Sequence, residues 1–168
     1  MERLPDLLAP DLRVIFVGTA AGEYSAKIGA YYAKPGNRFW LALYEARITP
    51  RLFRPTEYPA LVDLRIGLTD LCKREAGMDH VVKPRSEDLL QFGAKIEKYR
   101  PRAVAFTGKR SASYWLKMPT RRLKYGRQTT RSEYSPEVFA LPSPSGAAQK
   151  HWSITPWLEL GAWLRGLG

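Results

Sequence analysis

VIFVGTAAGEYSAKIGAYYAKPGNRFW, residues 14–40, is the stretch from which the rest of the chain is read. Residues 14–17 are four apolar residues in a row, too short a run for a helix, and they read as a buried strand. Gly18 and Gly22 let the backbone leave that strand sharply, because glycine tolerates conformations closed to other residues. Two tyrosines, a proline, an asparagine, an arginine and two more aromatics then crowd into residues 31–40. Open α/β sheets bind ligands beyond the carboxyl ends of their strands, so a ligand site is expected where this first strand stops.

Outward from that stretch the chain alternates strand and helix signals. Phe39, Trp40, Leu43 and Tyr44 fall at helical spacing within residues 37–47, and Pro50, Pro55 and Pro59 break the pattern after them. Residues 60–74 read as a second strand or an extended loop around Gly67. Ser86 is the expected N-cap of a helix whose apolar face is Leu89, Phe92, Ile96 and Tyr99 and which Pro101 ends. Residues 102–108 form a second buried strand with a helix over 109–116 directly behind it, and residues 137–141 form a third. Thr155 as N-cap with Pro156 opens a final helix bearing Trp157, Leu160, Trp163 and Leu164. Strands separated by helices predict a parallel sheet covered on both faces. Residues 1–168 are expected to form one domain, with no internal repeat and no linker.

Composition narrows the partner. The 27 Lys and Arg against 16 Asp and Glu give a net charge of +11 over 168 residues, a potential that attracts a polyanion, nucleic acid before others. The single cysteine, Cys72, excludes a disulfide framework and a four-cysteine zinc or iron–sulfur site; it fits a reducing compartment and reads as a small buried apolar residue. No basic segment leads into a long apolar run, and no apolar run reaches the length of a membrane span, so a cytoplasmic, monomeric protein is expected.

Three constellations can carry chemistry. The turn Gly18-Thr-Ala-Ala-Gly22 has neither spacing of a nucleotide-binding loop. Of Tyr31 and Tyr32, adjacent residues seldom enter the same core, so one ring is free to form a stacking platform for a base. Asn37 either reads a base edge or orients a water, or simply caps the helix that follows. Residues 142–152 interleave prolines with serines and then small residues, a stiff narrow loop able to approach a phosphate backbone. Outside these three, residues 117–131 carry basic residues and no acid, either a solvated loop or a phosphate-contacting surface through Arg121 and Arg122.

Gly18-Thr-Ala-Ala-Gly22, Tyr31-Tyr-Ala-Lys-Pro-Gly-Asn-Arg-Phe-Trp40, Gly67-Leu-Thr-Asp-Leu71 and Ser143-Pro-Ser-Gly146 together resemble the motifs of the uracil-DNA glycosylase superfamily. The resemblance spans about residues 12–164 and is closest to the mismatch-specific uracil and thymine glycosylases and to the hypoxanthine-DNA glycosylase group. It implies an α/β fold with a central four-stranded parallel sheet flanked by helices. The implied activity is excision of a deaminated base, uracil first and hypoxanthine second, from single-stranded or mismatched DNA, without metal, iron–sulfur cluster or cofactor. A duplex base is reached only by flipping it out of the stack. The resemblance makes Tyr32 the stacking aromatic, with Tyr31, Ala21, Gly22 and Ser25 around the substrate. It puts Gly18 and Ala20 at the attacking water, and Ser145, Gly146, Ala147, Ala148, Gln149, Lys150 and His151 against the DNA.

The chain departs from the pattern where it matters for chemistry. Ala20 stands where the mismatch-specific enzymes have asparagine and the common uracil glycosylases aspartate, and alanine cannot orient a water. The hypoxanthine group also lacks that residue and depends on the asparagine matching Asn37, so Asn37 is expected to place the water or hold the base. Ser143 stands where histidine or asparagine is common, and Ala147 where a larger apolar wedge often sits, which predicts ready use of weakly paired substrates. The competing expectation is a DNA-binding relative that has lost catalysis with the missing residue.

Overall fold

Strand β1 (Val14–Ala21) continues four residues past its apolar run. The computed structural model describes residues 2–129 and 135–167. Beyond Val17, β1 stays paired with strand β2 (Ile66–Ala76), Gly18 beside Asp70 and Ala20 beside Cys72, and the register shifts only between Ala20 and Ala21. Residues 18–21 are therefore strand rather than turn, because the eleven residues of β2 supply backbone partners beyond the apolar run. The turn starts at Gly22, the N-cap of helix α1 (Glu23–Ile28).

Helix α2 (Phe39–Glu45) and a 3-10 helix (Pro55–Leu64) follow, so residues 60–64 are helical and, of residues 60–74, only those from Ile66 on are strand. Helix α3 (Ser86–Tyr99), strand β3 (Ala103–Phe106) and helix α4 (Lys109–Leu116) come next. A 3-10 turn (Thr120–Arg122), strands β4 (Gly126–Arg127) and β5 (Glu137–Ala140), a 3-10 segment (Gly146–His151) and helix α5 (Thr155–Arg165) complete the order. Two expected caps move by one residue. Arg85 is the N-cap of α3, its amide donating to Asp88 Oδ2, and Ile154 is the N-cap of α5, with the Thr155 amide donating to Ser153 Oγ.

The strands lie in the order β2-β1-β3-β5-β4. The four expected parallel strands are present, and β4 adds a fifth, paired antiparallel with β5 through Gly126 and Arg127 alone. Gly126, at φ +105°, lets the chain turn into that short pairing, which no apolar alternation in the sequence announces.

Alternation along the strands makes two cores. Val14, Phe16, Ile66, Leu68, Ala105 and Phe139 face α2 and α5, where Phe16 stacks on Trp157 and meets Phe39 edge-on. Ile15, Val17, Val104, Phe106 and Val138 face α3 and α4, meeting Phe92, Ile96 and Ala112. Each such side chain contributes on the order of 2 kcal/mol by leaving water. Cys72 is buried, and burial pushes its thiol up to about 12, so it is a neutral small core residue as expected. Along the outer edge of β2, residues 3–7 are tied on by Arg3 N–H to Lys73 O and by the reciprocal pair Leu7 and Leu68. Asp6 fixes that tie: it takes ion pairs from Lys73 and Lys95 and a hydrogen bond from Thr69 Oγ1. Among the described residues no helix is long and apolar enough to cross a membrane, and no three His, Cys, Asp or Glu cluster as metal ligands.

Candidate active site

The chain moves outward from β1 to β2 and then crosses back to β3, so the strand order reverses between β1 and β3, and the crevice there is where such sheets take ligands. Gly18 sits at that point, buried, with Asp70 beside it on β2 and Thr107, whose N–H donates to Val17 O, beside it on the β3 side. A side chain at position 18 has no room. A Cβ there would lie 2.6 Å from Asp70 Oδ1, 3.5 Å from the Tyr32 hydroxyl and 3.6 Å from Thr107 Oγ1. The floor of the site is thus bare backbone crossed by a carboxylate.

Tyr32 forms one wall. Its φ is +52°, and its ring lies 6.2 Å from that of Tyr31, so both tyrosines pack on one core and differ in depth rather than in side. Tyr31 is 2% exposed, its hydroxyl donating to Pro5 O and its carbonyl accepting from Trp40 Nε1. Tyr32 is half-buried, one face of its ring stacked on Phe39 at 3.9 Å between centroids and its hydroxyl 3.0 Å from Thr107 Oγ1. Burial and the nearby Asp70 push its phenol far above the ordinary range, so it stays neutral.

Asn37 serves the helix. Its Oδ1 accepts the Phe39 N–H at 2.9 Å, which assigns the amide orientation because only the oxygen can accept. Ser25, expected near the substrate, spends its hydroxyl on the Ala33 N–H and so holds the segment carrying Tyr32. Ala21 is buried beside it, Ala20 is half-buried and Gly22 exposed.

The loop from Pro142 packs against this segment. Pro144 O accepts from Arg38 N–H, Gly146 lies over Gly36, and Pro142 O accepts from Trp157 Nε1. The two serines stiffen it internally: Ser143 Oγ accepts from Ser145 N–H, and Ser145 Oγ from Ala147 N–H. Ser143 is half-buried beside Gly108, whereas Ala147, Gln149, Lys150 and His151 stand exposed on the rim and Ser145, Gly146 and Ala148 are half-buried. Arg121 and Arg122 are exposed but elsewhere. Arg122 lies with Arg100, Arg102, Lys117 and Lys124 where β3 and β5 begin, at the end of the sheet opposite Gly18. Residues 130 and 131 of the expected basic surface lie outside the described residues.

Two acidic residues at the crevice carry no role in the sequence reading. Asp70, 5% exposed, lies within the quoted Gly67-Leu71 motif, and burial, only partly countered by Lys73, raises its carboxyl to about 6. Asp79, on the loop before α3, approaches Gly108 close to where Ser143 does; burial raises it too, against the pull of Thr19, Arg110 and His80. The signal available in sequence was the position of Asp70, a carboxylate inside a run otherwise apolar enough to be core.

A mostly parallel sheet whose carboxyl edge holds bare backbone between a carboxylate and a stacked aromatic defines an α/β protein with a crevice of the kind such sheets use for ligands. The family model of the uracil DNA glycosylase superfamily matches residues 5–165, and the chain belongs to that superfamily of DNA glycosylases. Its fold is shared with a provisionally assigned uracil DNA glycosylase of Methanosarcina acetivorans solved by NMR. The two are 22% identical over 96% of each chain, with a TM-score of 0.66.

Proposed function

We propose that the protein is a monofunctional DNA glycosylase that hydrolyses the N-glycosidic bond of a flipped-out deaminated base, uracil before others, and leaves an abasic site. The observation that carries this reading is the stretch of β1 left bare at Gly18, walled by Tyr32 and overlooked by the Ser143–Gly146 loop. The free face of the Tyr32 ring takes the flipped base, and the absence of a side chain at Gly18 lets the sugar approach the floor. Because the Asn37 oxygen is occupied by the Phe39 N–H, its Nδ2 is the group left to act, and a donor suits a base carbonyl rather than a water that must lose a proton. The reading is of a hydrolase without lyase activity, because Lys73, the nearest amine to Asp70 along β2, is committed to Asp6 and to Leu4 O.

The exposed rim of Ala147, Gln149, Lys150 and His151 faces the DNA backbone, and the small Ala147 favours single-stranded or mismatched substrates. The test is incubation with labelled oligonucleotides carrying uracil opposite guanine, opposite adenine or unpaired, hypoxanthine opposite thymine, and thymine opposite guanine, followed by alkali. Cleavage of the uracil substrates, fastest where pairing is weakest, is the expected result. Retained DNA affinity with no cleavage of any substrate makes the protein a binding relative instead.

A further inference from the structure

We infer that Asp70 is the catalytic carboxylate of this site, holding the attacking water on the floor at Gly18 and taking its proton. The inference rests on the glycosylase reading and supplies the group that Ala20 cannot. Asp70 Oδ2 is fully buried yet has no hydrogen-bond partner among the described residues. A buried carboxylate left in that state is costly, and a native structure that keeps one has a use for it.

The side-chain donors of Thr107, Tyr32, Thr69 and Lys73 are committed elsewhere. Thr107 Oγ1 donates to Val17 O, which leaves the Tyr32 hydroxyl to donate to Thr107. Thr69 Oγ1 donates to Asp6, and Lys73 Nζ to Asp6, Leu4 O and Tyr31. Oδ1, the carboxylate oxygen turned to Gly18, is the one that a small donor from outside the protein can reach, and water is the donor the reaction brings. Oδ1 lies where a Cβ of residue 18 would stand, and Ala20, on the same face of β1 two residues on, adds only a methyl group. The place beside the oxygen is therefore open toward the strand end where the sugar arrives.

The step balances with these groups alone. The bond from C1′ to the base nitrogen breaks with its electron pair going to the base, which leaves as an anion. The sugar carries the resulting oxocarbenium charge, stabilised by the nearby carboxylate. The water oxygen bonds to C1′, and its proton passes to Asp70. Asp70 then releases the proton to solvent and the base anion gains one, giving an abasic hydroxyl and a neutral base.

The charges facing Asp70 are Lys73 and Lys95, which favour its ionised form, and Asp6 and Asp79, which disfavour it, while the Tyr32 phenol stays neutral. With its carboxyl near 6, Asp70 is ionised at neutral pH and strong enough as a base to matter. Single-turnover excision of uracil from single-stranded DNA tests this, comparing wild type with Asp70→Asn across the pH range either side of about 6.

The expected result is a wild-type rate that rises with pH through that value and then levels. Asp70→Asn is expected to be slower by about 100-fold or more, with unchanged DNA affinity and a Tm no lower than wild type. An Asp70→Asn rate close to wild type, or a wild-type rate with no acid limb, overturns the inference while leaving the glycosylase reading intact. The wild-type pH profile decides the matter even if the variant folds poorly. Wild type inert on every base overturns both.

Discussion

A tyrosine at φ +52° costs about 1–2 kcal/mol of backbone strain, and Tyr32 is held there by the Phe39 stack and the Thr107 hydroxyl. Asn37 caps Phe39 through its oxygen, and the base contact proposed for its nitrogen separates from that cap by substitution. Asn37→Asp keeps the oxygen that caps Phe39, so thermal melting is expected within a degree or two of wild type, yet excision falls because no donor remains for the base. Asn37→Ala loses the cap as well, with about 1 kcal/mol of stability, and the pair of melts and rates checks the division.

Asp70 has a thermodynamic signature of its own. Burial raises its carboxyl from about 4 in the unfolded chain to about 6 in the native state, so between those values the folded protein binds the proton more tightly. Stability is therefore lost as pH climbs through that window, by about 3 kcal/mol, and the penalty persists above it. Asp6 runs the other way. Burial opposes its charge, but Lys73, Lys95 and Thr69 together hold its carboxyl below the ordinary value, and what it contributes is lost on acidification. Melting Asp70→Asn beside wild type cancels the Asp6 effect, and the variant's advantage is expected to grow as pH rises from about 4 through about 6. An advantage that shrinks over that range contradicts the assigned burial of the charge.

At the level of elements, the tightest approach is between α2 and α5. A Cβ on Gly161 would run into the Ala46 carbonyl oxygen, which also accepts from Arg165 Nη1. Gly161→Ala is expected to destabilise the fold by about 1–3 kcal/mol, read by chemical denaturation, and to disturb the Phe39 ring on which Tyr32 rests. How much of this was legible follows the physics of each element. The apolar runs of β1, β3 and β5 and the faces of α3 and α5 are strong local signals, and they lie where the sequence puts them. The extension of β1 past Gly18 and the two residues of β4 depend on what the neighbouring strand offers, and no window of sequence holds that information. The 3-10 helix at Pro55–Leu64 hides behind prolines that read as breakers. The site divides in the same way. Tyr32 and the Ser143–Gly146 loop are recognisable by residue type. The commitment of Asn37, Ser25, Ser143 and Ser145 to backbone N–H groups, and the exposure of Asp70 to an unmet hydrogen bond, exist only once strands and loops are side by side.

Over the whole molecule, a net charge of +11 draws DNA from every side, but the two ends of the sheet contribute differently. Lys150 and His151 stand on the rim beside the site, whereas Arg121 and Arg122 lie at the far end, separated by the length of β3, about 13 Å. That exceeds the screening length of about 10 Å at 0.1 M salt. Replacing Lys150 by alanine is expected to reduce the slope of log affinity against log salt by about 1, and replacing Arg121 and Arg122 together to leave it nearly unchanged. Equal slopes for the two variants place the DNA elsewhere than the rim.

The tie of residues 3–7 along β2 governs how copies of the molecule treat one another. An uncovered outer strand invites any extended chain to add to it, and this one is covered by a segment held by backbone hydrogen bonds and by the ion pairs of one carboxylate. Acid that neutralises Asp6 weakens the cover as well as the fold, so colloidal stability and conformational stability fail together, with association following from an opened edge rather than from a melted core.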